Sequence, residues 1–346
     1  MSLLDFAKRQ GNSTFVKALL EAGVADTPAG LPPTQPDRKT TISPQAAIAK
    51  SIPVLQRSDA VFLRKAGCVS CHNNSLTAMA LASVRPRGAS VDEQLSRETL
   101  ARTLAYLQEN RERALENEGL PGAADTVSYI LLGMAAAKYP GDSTTEIWAR
   151  YLKDIQCADG HWTSFRIRPP LESSDMETTA VSIRAMQTYG LKSQKAVYSA
   201  AARRAVRWLE TNTPTDTEDH VFQILGLLWG GGNRGSLRKA AHALLAMQRP
   251  DGGWGQTSVL PSDAYATGQS RWALRESGVI SSNNAAYQRG VQYLLNSQME
   301  DGSWHVKTRA PAFQPWFDSE FPHAGDQFIS AAATNWAVMA LSSAAL

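Results

Sequence analysis

Three seven-residue stretches decide the fold of this chain: Gln156-Cys157-Ala158-Asp159-Gly160-His161-Trp162, Gln248-Arg249-Pro250-Asp251-Gly252-Gly253-Trp254 and Gln298-Met299-Glu300-Asp301-Gly302-Ser303-Trp304. They share the frame Q-x-x-D-G-x-W. Within that frame, Asp-Gly favours a tight turn after a helix end. The Gln amide and the Trp ring can tie the turn to a neighbouring element by hydrogen bonding and stacking. The frame therefore predicts a structural clamp that recurs along the chain.

A helical pattern surrounds these frames. Apolar residues recur at i, i+3, i+4 and i+7 in six segments roughly 47 residues apart. These segments span residues 46–55, 95–113, 146–155, 197–209, 237–247 and 287–295. Each is followed by a loop and a second, more apolar helix, at 75–84, 126–138, 178–189, 221–229, 265–276 and 329–346. Helical repeats must stack to bury a shared face, so the pattern predicts an all-α fold of six helical hairpins.

The Q-x-x-D-G-x-W frame resembles the QW motif of squalene-hopene cyclases and of the wider terpenoid-cyclase and prenyltransferase superfamily. The resemblance implies an (α/α)6 toroid over residues 44–346, in which outer helices surround six inner helices that line a central cavity. The alternative is a set of unrelated helical repeats with coincidental Asp-Gly turns. Three copies of the frame favour the toroid.

The same resemblance points to the start of the third inner helix. Squalene-hopene cyclases carry D-x-D-D-T-A there, and the central acid protonates an alkene. The matching string here is Asp175-Met176-Glu177-Thr178-Thr179-Ala180. A lone Glu beside Thr is a poor replacement for an acid strengthened by neighbouring carboxyl groups. Asp175 and Glu177 are therefore only weak candidates, and no catalytic residue is assigned.

The most specific chemical motif is Cys68-Val69-Ser70-Cys71-His72. Two thiols three residues apart, followed at once by an imidazole, are what covalent attachment of a c-type haem requires. The thiols of Cys68 and Cys71 form thioethers with the porphyrin, and His72 becomes the proximal iron ligand. The motif predicts one covalent haem c.

Two other readings of the motif stay open, a zinc site and a redox dithiol. Zinc needs four ligands, and the remaining cysteine, Cys157, stands alone without a second C-x-x-C pair. A thioredoxin-like dithiol needs a preceding strand, which the pattern does not predict. Aligning the repeats places His72 at the start of the first inner helix, so we expect the haem at the central cavity.

Further haem contacts follow from position in the repeats. His323, just ahead of the last inner helix, is the distal-ligand candidate because the sixth hairpin of a closed ring adjoins the first; an open or water-bound distal site is the alternative. Arg166 and Arg168 precede the third inner helix and are candidates for binding haem propionates. A solvated loop explains those two arginines equally well.

The N-terminal part differs from the rest. Residues 1–24 resemble the last helix pair of an ankyrin repeat, and residues 25–43 read as a linker rich in Pro, Thr, Gly and Asp. One repeat cannot bury its own face, so we expect further repeats upstream, where they can bind a protein partner. Because haem c is attached outside the cytoplasm, we expect an export signal upstream and a periplasmic or otherwise extracytoplasmic location.

Composition limits the function classes. The chain has 346 residues, 43% hydrophobic and 19% charged, with a formal net charge of +3. It carries no basic block that would indicate nucleic acid and no apolar run long enough to span a membrane. We expect electron transfer or haem-based redox chemistry, with a redox partner protein or a small apolar molecule. The alternatives are a terpenoid or prenyl-lipid binding or cyclising protein that uses Glu177, and a non-catalytic scaffold.

Overall fold

The computed structural model describes residues 3–4, 7, 13–25, 41–165, 168–281, 283–311 and 316–344, without the side chains of residues 13, 71 and 72. One short helix, α1 (Ser13–Glu21), precedes the six hairpins. The outer helices are α2 (Pro44–Ala66), α4 (Glu93–Glu109) with the short α5 (Arg111–Leu115), α7 (Ser143–Asp154), α9 (Lys195–Thr211), α11 (Arg234–Ala246) and α13 (Ala285–Ser297). The inner helices are α3 (Leu76–Val84), α6 (Ala123–Ala136), α8 (Asp175–Tyr189), α10 (Thr217–Gly230), α12 (Ala264–Glu276) and α14 (Gln327–Ser342).

Short helical turns and two short strands lie between these helices. A π-helical turn (Cys71–Ser75) leads into α3, and 3-10 turns lie at Arg85–Arg87, Lys192–Gln194 and Ala324–Asp326. Two short strands, β1 (Trp254–Gly255) and β2 (Ser262–Asp263), pair antiparallel within the connection of the fifth hairpin.

The six inner helices form a closed ring. Each packs against the next in chain order, and α14 returns to pack against α3. The outer helix α2 also contacts α14, which joins the first hairpin to the last. Inner helices are buried on nearly every face, as in α14, where every residue from Ile329 to Ser342 is buried. The predicted all-α toroid of six hairpins is therefore confirmed.

The three Q-x-x-D-G-x-W turns make the same set of hydrogen bonds. In each, the Trp indole N–H donates to a Leu carbonyl ten residues earlier in its own outer helix, and the Trp backbone N–H donates to a Thr hydroxyl of the following inner helix. The indole bonds are Trp162 to Leu152 (2.7 Å), Trp254 to Leu244 (2.9 Å) and Trp304 to Leu294 (2.8 Å). The hydroxyl acceptors are Thr179, Thr267 and Thr334. The Trp thus fastens the turn within its own hairpin.

The Gln of each frame fastens the turn to the next hairpin. Its amide Nε2 donates to a carbonyl of the next outer helix: Gln156 to Ala201 (2.9 Å), Gln248 to Ala286 (2.7 Å) and Gln298 to Ala47 (2.9 Å). The last bond joins the sixth hairpin to the first, so the third clamp closes the ring. The predicted clamp is confirmed, although it is the Gln rather than the Trp that reaches the neighbouring hairpin by a hydrogen bond.

The glycine of the frame meets a steric requirement. Gly302 has φ +89° and a Cβ on it would lie 2.5 Å from the carbonyl oxygen of Lys50. Gly160 and Gly252 also have positive φ and lie against the backbone of Arg204 and Arg289. Each clamp turn therefore needs glycine both for its conformation and for its close approach to the next outer helix.

Aromatic side chains of α10, α12 and α14 contact one another inside the ring. Phe222 of α10 and Trp336 of α14 meet across it with ring centroids 6.2 Å apart. Trp272 of α12 lies 5.4 Å from Trp336, and Trp229 lies 6.3 Å from Trp272. Open space for a ligand is therefore expected at an end of the ring and not at this level.

The N-terminal segment has its own small apolar cluster, made by Leu4, Ala7 and Val16 with Leu19 and Val24 packed against it. Its ankyrin-like character stays a prediction. Most of the predicted linker, residues 26–40, lies outside the described residues. Among the helices described, none is both long and apolar enough to cross a membrane.

Candidate functional site

All outer-to-inner connections lie at one end of the ring, where the six inner helices begin; we call this end the mouth. Several of these helices carry acidic residues in their first turn. Helix α6 has Asp125, α8 has Asp175 and Glu177, and α10 has Glu218 and Asp219. The positive ends of the helix dipoles favour carboxylates at such positions.

Glu177 lies fully buried at the mouth. The hydroxyl of Tyr129, from the neighbouring helix α6, donates to Glu177 Oε1 at 2.6 Å. Burial raises the pKa of Glu177 to about 8; the Tyr129 hydrogen bond opposes this rise, and the negative charges of Glu172 and Asp219 add to it. Glu177 therefore carries its proton at neutral pH.

Asp125 is a second buried acid beside Glu177. It accepts hydrogen bonds from the hydroxyl of Thr178 and from that of Ser164, the latter at 3.0 Å. Burial and the charge of Glu177 raise the pKa of Asp125 well above its ordinary value, against the effect of the Thr178 bond. Thr178, which stands where the cyclase motif has an acid, thus supports a carboxyl group from another helix.

Glu218 mirrors Glu177 on the next inner helix. The hydroxyl of Tyr265 donates to Glu218 Oε1 at 3.0 Å, and Gln269 Nε2 donates to Glu218 Oε2 at 2.8 Å. Burial raises the pKa of Glu218 well above its ordinary value, and the charge of Glu177 adds to that rise. Two carboxyl groups, each bonded to a tyrosine, thus stand side by side on α8 and α10.

The buried Arg309, from the connection of the sixth hairpin, lies near Asp216 and Asp263, which cap α10 and α12. Arg309 Nε donates to Gln256 Oε1 at 2.6 Å, and Gln256 Nε2 donates to Asp263 Oδ2 at 2.8 Å. Burial raises the pKa of Asp216 and of Asp263 to about 6 in each case. The mouth therefore combines buried acids whose pKa is raised by desolvation with an arginine whose positive charge opposes that rise at Asp216 and Asp263.

The sequence pointed to Glu177 but not to Asp125 or Glu218. The signal was an acid in the first turn of successive inner helices, Ala124-Asp125-Thr126 and Thr217-Glu218-Asp219, which the hairpin alignment could have exposed. Asp175 has a different position from Glu177. The α8 cap is Ser174, and Asp175 Oδ1 accepts the backbone N–H of Ser164 at 2.8 Å, which ties the preceding loop to the helix.

The Cys68–His72 segment lies at the same mouth, between α2 and α3. Cys68 is exposed. Desolvation raises the pKa of its thiol, and the positive charge of Arg168 opposes that rise. Arg168 Nη1 also donates to Glu172 Oε1 at 2.8 Å. The positive charge of Arg168, in the loop before α8, therefore acts on the Cys68 thiol. A contact of Arg168 with haem propionates stays a prediction, and Arg166 lies outside the described residues.

Asn74 fixes the Cys68–His72 segment to α2 by hydrogen bonds. Its Oδ1 accepts the backbone N–H of Ser70 at 2.8 Å, and its Nδ2 donates to the backbone oxygen of Asp59 at 3.1 Å and to the Asp59 carboxyl group. Burial raises the pKa of Asp59 to about 7, and the Asn74 bond opposes the rise. Asn74 therefore links the Cys68–His72 segment to α2, and Asn73 adds a second bond from its Nδ2 to Ser58 Oγ at 3.5 Å.

An aromatic cluster lies against the last turns of α2, just before the Cys68–His72 segment. Phe62 packs edge-on against Phe317 (5.2 Å between centroids) and Phe328 (5.8 Å), and all three rings are partly exposed. Lys65 Nζ donates to the backbone oxygen of Asp318 at 2.7 Å. The chain before α14 thus packs against the C-terminal end of α2, only a few residues ahead of Cys68.

His323 lies beside the third clamp. Its Nε2 is 2.7 Å from Ser303 Oγ, and its ring stacks on that of His305 at 4.6 Å. Burial, together with His305, lowers the pKa of His323. None of these contacts involves the Cys68 segment among the described residues, so a role of His323 as distal ligand stays a prediction.

Comparison with known proteins supports the toroid. Residues 220–322 match the family described as squalene-hopene cyclase C-terminal domain. A squalene-hopene cyclase of Bradyrhizobium diazoefficiens is 37% identical over 79 residues, which make up 20% of this chain and 12% of that relative. The matched part is thus a small share of the curated relative. These matches support a terpenoid-cyclase-like scaffold.

Two solved structures share the fold. One is a protein from Actinoplanes, at 15% identity and a TM-score of 0.53, covering 86% of this chain and 100% of that one. The other is a glycosidase variant in complex with glucose, at 10% identity and a TM-score of 0.54, covering 86% and 98%. At these identities the likeness concerns the fold alone.

Proposed function

We propose that this chain is an extracytoplasmic c-type haem protein in which a terpenoid-cyclase-like toroid presents one haem at its mouth. The observation that carries the proposal is the exposed Cys68 thiol, in a C-x-x-C-H motif that opens the first inner helix, with Arg168 beside it. The aromatic side chains in the middle of the ring favour attachment at the mouth over a haem deeper inside.

The residues present fit such a group. Cys68 and Cys71 would hold it by thioethers, His72 would bind the iron, and Arg168 would supply positive charge to its acidic side chains. When bound, the haem supplies one-electron redox chemistry. Around it, Asn74 fixes the backbone of the segment, and Phe62, Phe317 and Phe328 offer partly exposed aromatic surface next to the end of α2.

The role that follows is electron transfer, or haem-based redox chemistry on a small apolar molecule. The closed toroid is suited to hold the Cys68–His72 segment rigidly, since three of its five other connections, those of the third, fifth and sixth hairpins, are fixed by the clamps. A redox partner protein is expected to approach the mouth, where Cys68 is exposed. The ankyrin-like residues 1–24 would provide a second surface for a protein partner.

The test is covalent haem content. The chain is co-expressed with a cytochrome c maturation system, purified, and examined by its pyridine haemochrome spectrum. We expect a spectrum with one haem per chain in the wild type and none in Cys68→Ala/Cys71→Ala. Cys157→Ala, the third cysteine of the chain, serves as the matched control and should keep the full haem content. Equal haem in all three proteins, or none in the wild type, would refute the proposal.

A second candidate, acid chemistry on a terpenoid or prenyl lipid, is favoured by one observation. Glu177 is a buried, protonated carboxyl group bonded to Tyr129 on a scaffold that matches the squalene-hopene cyclase C-terminal family. Such an acid can donate a proton where charge develops on a bound hydrocarbon. The haem-free protein would then form a product from squalene or a prenyl diphosphate that disappears in Glu177→Gln and persists in Cys68→Ala/Cys71→Ala.

A further inference from the structure

The first clamp turn, residues 156–162, carries three side chains that can bind a metal. The other two clamp turns have only one of the three, the aspartate. Cys157, Asp159 and His161 offer ligand atoms that all lie within 4.8 Å of one another. The corresponding residues of the second turn are Arg249, Asp251 and Gly253, and those of the third are Met299, Asp301 and Ser303. The aspartate belongs to the frame, whereas the thiol and the imidazole are particular to residues 156–162.

The backbone of the turn explains why these side chains converge. The N–H of the second frame residue donates to the carbonyl oxygen of the sixth in all three turns: Cys157 to His161 (2.9 Å), Arg249 to Gly253 (3.0 Å) and Met299 to Ser303 (2.9 Å). The second and sixth residues therefore face each other across the Asp-Gly turn. In the first turn these two positions hold a soft sulfur and an imidazole nitrogen.

We propose that the turn at residues 156–162 binds Zn²⁺ through the sulfur of Cys157, a ring nitrogen of His161 and the carboxylate of Asp159. Sulfur, imidazole and carboxylate are all ligands that zinc accepts, and three protein ligands leave a fourth position for water or another ligand. Binding displaces the thiol proton, so affinity rises with pH. The site is distinct from the Cys68–His72 segment and from the buried acids of the mouth.

Neighbouring groups hold the donors in place. His161 Nδ1 is 2.6 Å from Asp159 Oδ1, and its ring stacks on Trp208 of the outer helix α9 with centroids 4.9 Å apart. Thr163 Oγ1 lies 3.3 Å from His161 Nε2 and 3.7 Å from Cys157 Sγ, where it can bond to a bound water or support a ligand. The side chains of His161 and Asp159 are 19% and 57% exposed, so an ion can reach them from solvent.

The experiment titrates Co²⁺, a spectroscopic substitute for Zn²⁺, into the reduced Cys68→Ala/Cys71→Ala protein. Since the chain has three cysteines, Cys157 is then the sole thiol. We expect a sulfur-to-cobalt charge-transfer band that saturates at one Co²⁺ per chain and disappears on addition of Zn²⁺. The matched control adds Cys157→Met and His161→Ser, which are the residues of the third clamp turn. It should keep its circular dichroism spectrum and lose the band, with Co²⁺ binding weakened by at least the roughly tenfold to hundredfold that loss of a supporting group costs.

Absence of the band, or an equal band in the control, would overturn the proposal. If the control does not fold, Cys157→Ser alone decides, because it leaves the His161–Trp208 stack in place; it should lose the band and retain the fold. A second measurement follows the imidazole proton signals of His161 by NMR, identified with His161→Gln. Co²⁺ should shift or broaden them before those of the other histidines, and a first effect on any other histidine would contradict the site.

Discussion

The connections of the sixth and the first hairpins make the most instructive comparison in this molecule. Both lead from an outer to an inner helix at the mouth, and they adjoin because the ring closes there. The sixth connection begins with Gln298–Trp304, in which Trp304 is fully buried and Gln298 bonds to α2. The first connection has neither Gln nor Trp in that role. It carries the exposed Cys68 and a π-helical turn.

The outer-to-inner connection has a different structure in hairpins with the clamp and in the first hairpin, which lacks it. Where the clamp is present, the indole bond fastens the turn within its own hairpin and the Gln amide bond joins it to the next hairpin. Where it is absent, Asn74 and the backbone around it hold the segment, and a thiol can face solvent. π-Helical turns inside helical proteins are frequent at functional sites. The clamps thus fasten three connections of the toroid, whereas the first connection leaves a thiol exposed at the mouth.

Removing the Trp of the third clamp should have the largest effect. Trp304→Ala deletes a fully buried ring and its hydrogen bond to Leu294, and we expect the free energy of unfolding to fall by about 3–5 kcal/mol. The measurement is urea unfolding of the haem-free protein. Cys68→Ser, in the unclamped connection, should stay within about 0.5 kcal/mol of the wild type. Equal losses from the two variants would remove the distinction between the connections.

The pH dependence of the free energy of unfolding tests the contact between the first connection and α2, where Asn74 donates to Asp59. Burial raises the pKa of Asp59 to about 7, from 3.8. A raised acid pKa gives stability that is complete below the unfolded-state value and is lost as pH rises through the folded-state value. We therefore expect Asp59→Asn, which keeps an acceptor for Asn74, to gain about 2–3 kcal/mol relative to the wild type between pH 5 and pH 8.

The control for that titration is Ser70→Ala in the same connection. It removes the hydroxyl that accepts the Asn73 N–H at 3.0 Å, and no titrating group. Its effect on the free energy of unfolding should be the same at pH 5 and pH 8. A pH-independent Asp59→Asn difference would show that Asp59 ionises normally and that the connection is more open to water than the contacts indicate.

Two glycines with positive φ test how closely the third clamp approaches α2. Gly302→Ala and Gly278→Ala both place a Cβ at positive φ, but only Gly302 lies against another backbone, that of Lys50. A Cβ at Gly278 meets no atom within 4 Å. We expect Gly302→Ala to lower the free energy of unfolding by about 1–3 kcal/mol more than Gly278→Ala, the range typical of overpacking. Equal losses would mean that the third clamp tolerates a wider spacing from α2.

The fold was predictable because its signals are local and repeated. The frame residues and the helical periodicity fixed the hairpins, and the closure of the ring followed from the family resemblance. The site was harder to predict because it depends on contacts between hairpins. Asp125 and Glu218 lie in the first turns of two separate helices, and only the packing of α6, α8 and α10 brings them beside Glu177. The stacking of His323 on His305 likewise depends on a backbone turn that no motif signals.

Covalent haem attachment is tested most directly by the intact mass of the unfolded protein after co-expression with the cytochrome c maturation system. A haem held by thioethers survives unfolding, whereas one that is only bound is lost. We expect the wild type and Cys157→Ala to carry the mass of one haem and Cys68→Ala/Cys71→Ala to lack it. A wild-type chain of unmodified mass, with free thiols at both positions of the motif, would contradict covalent attachment.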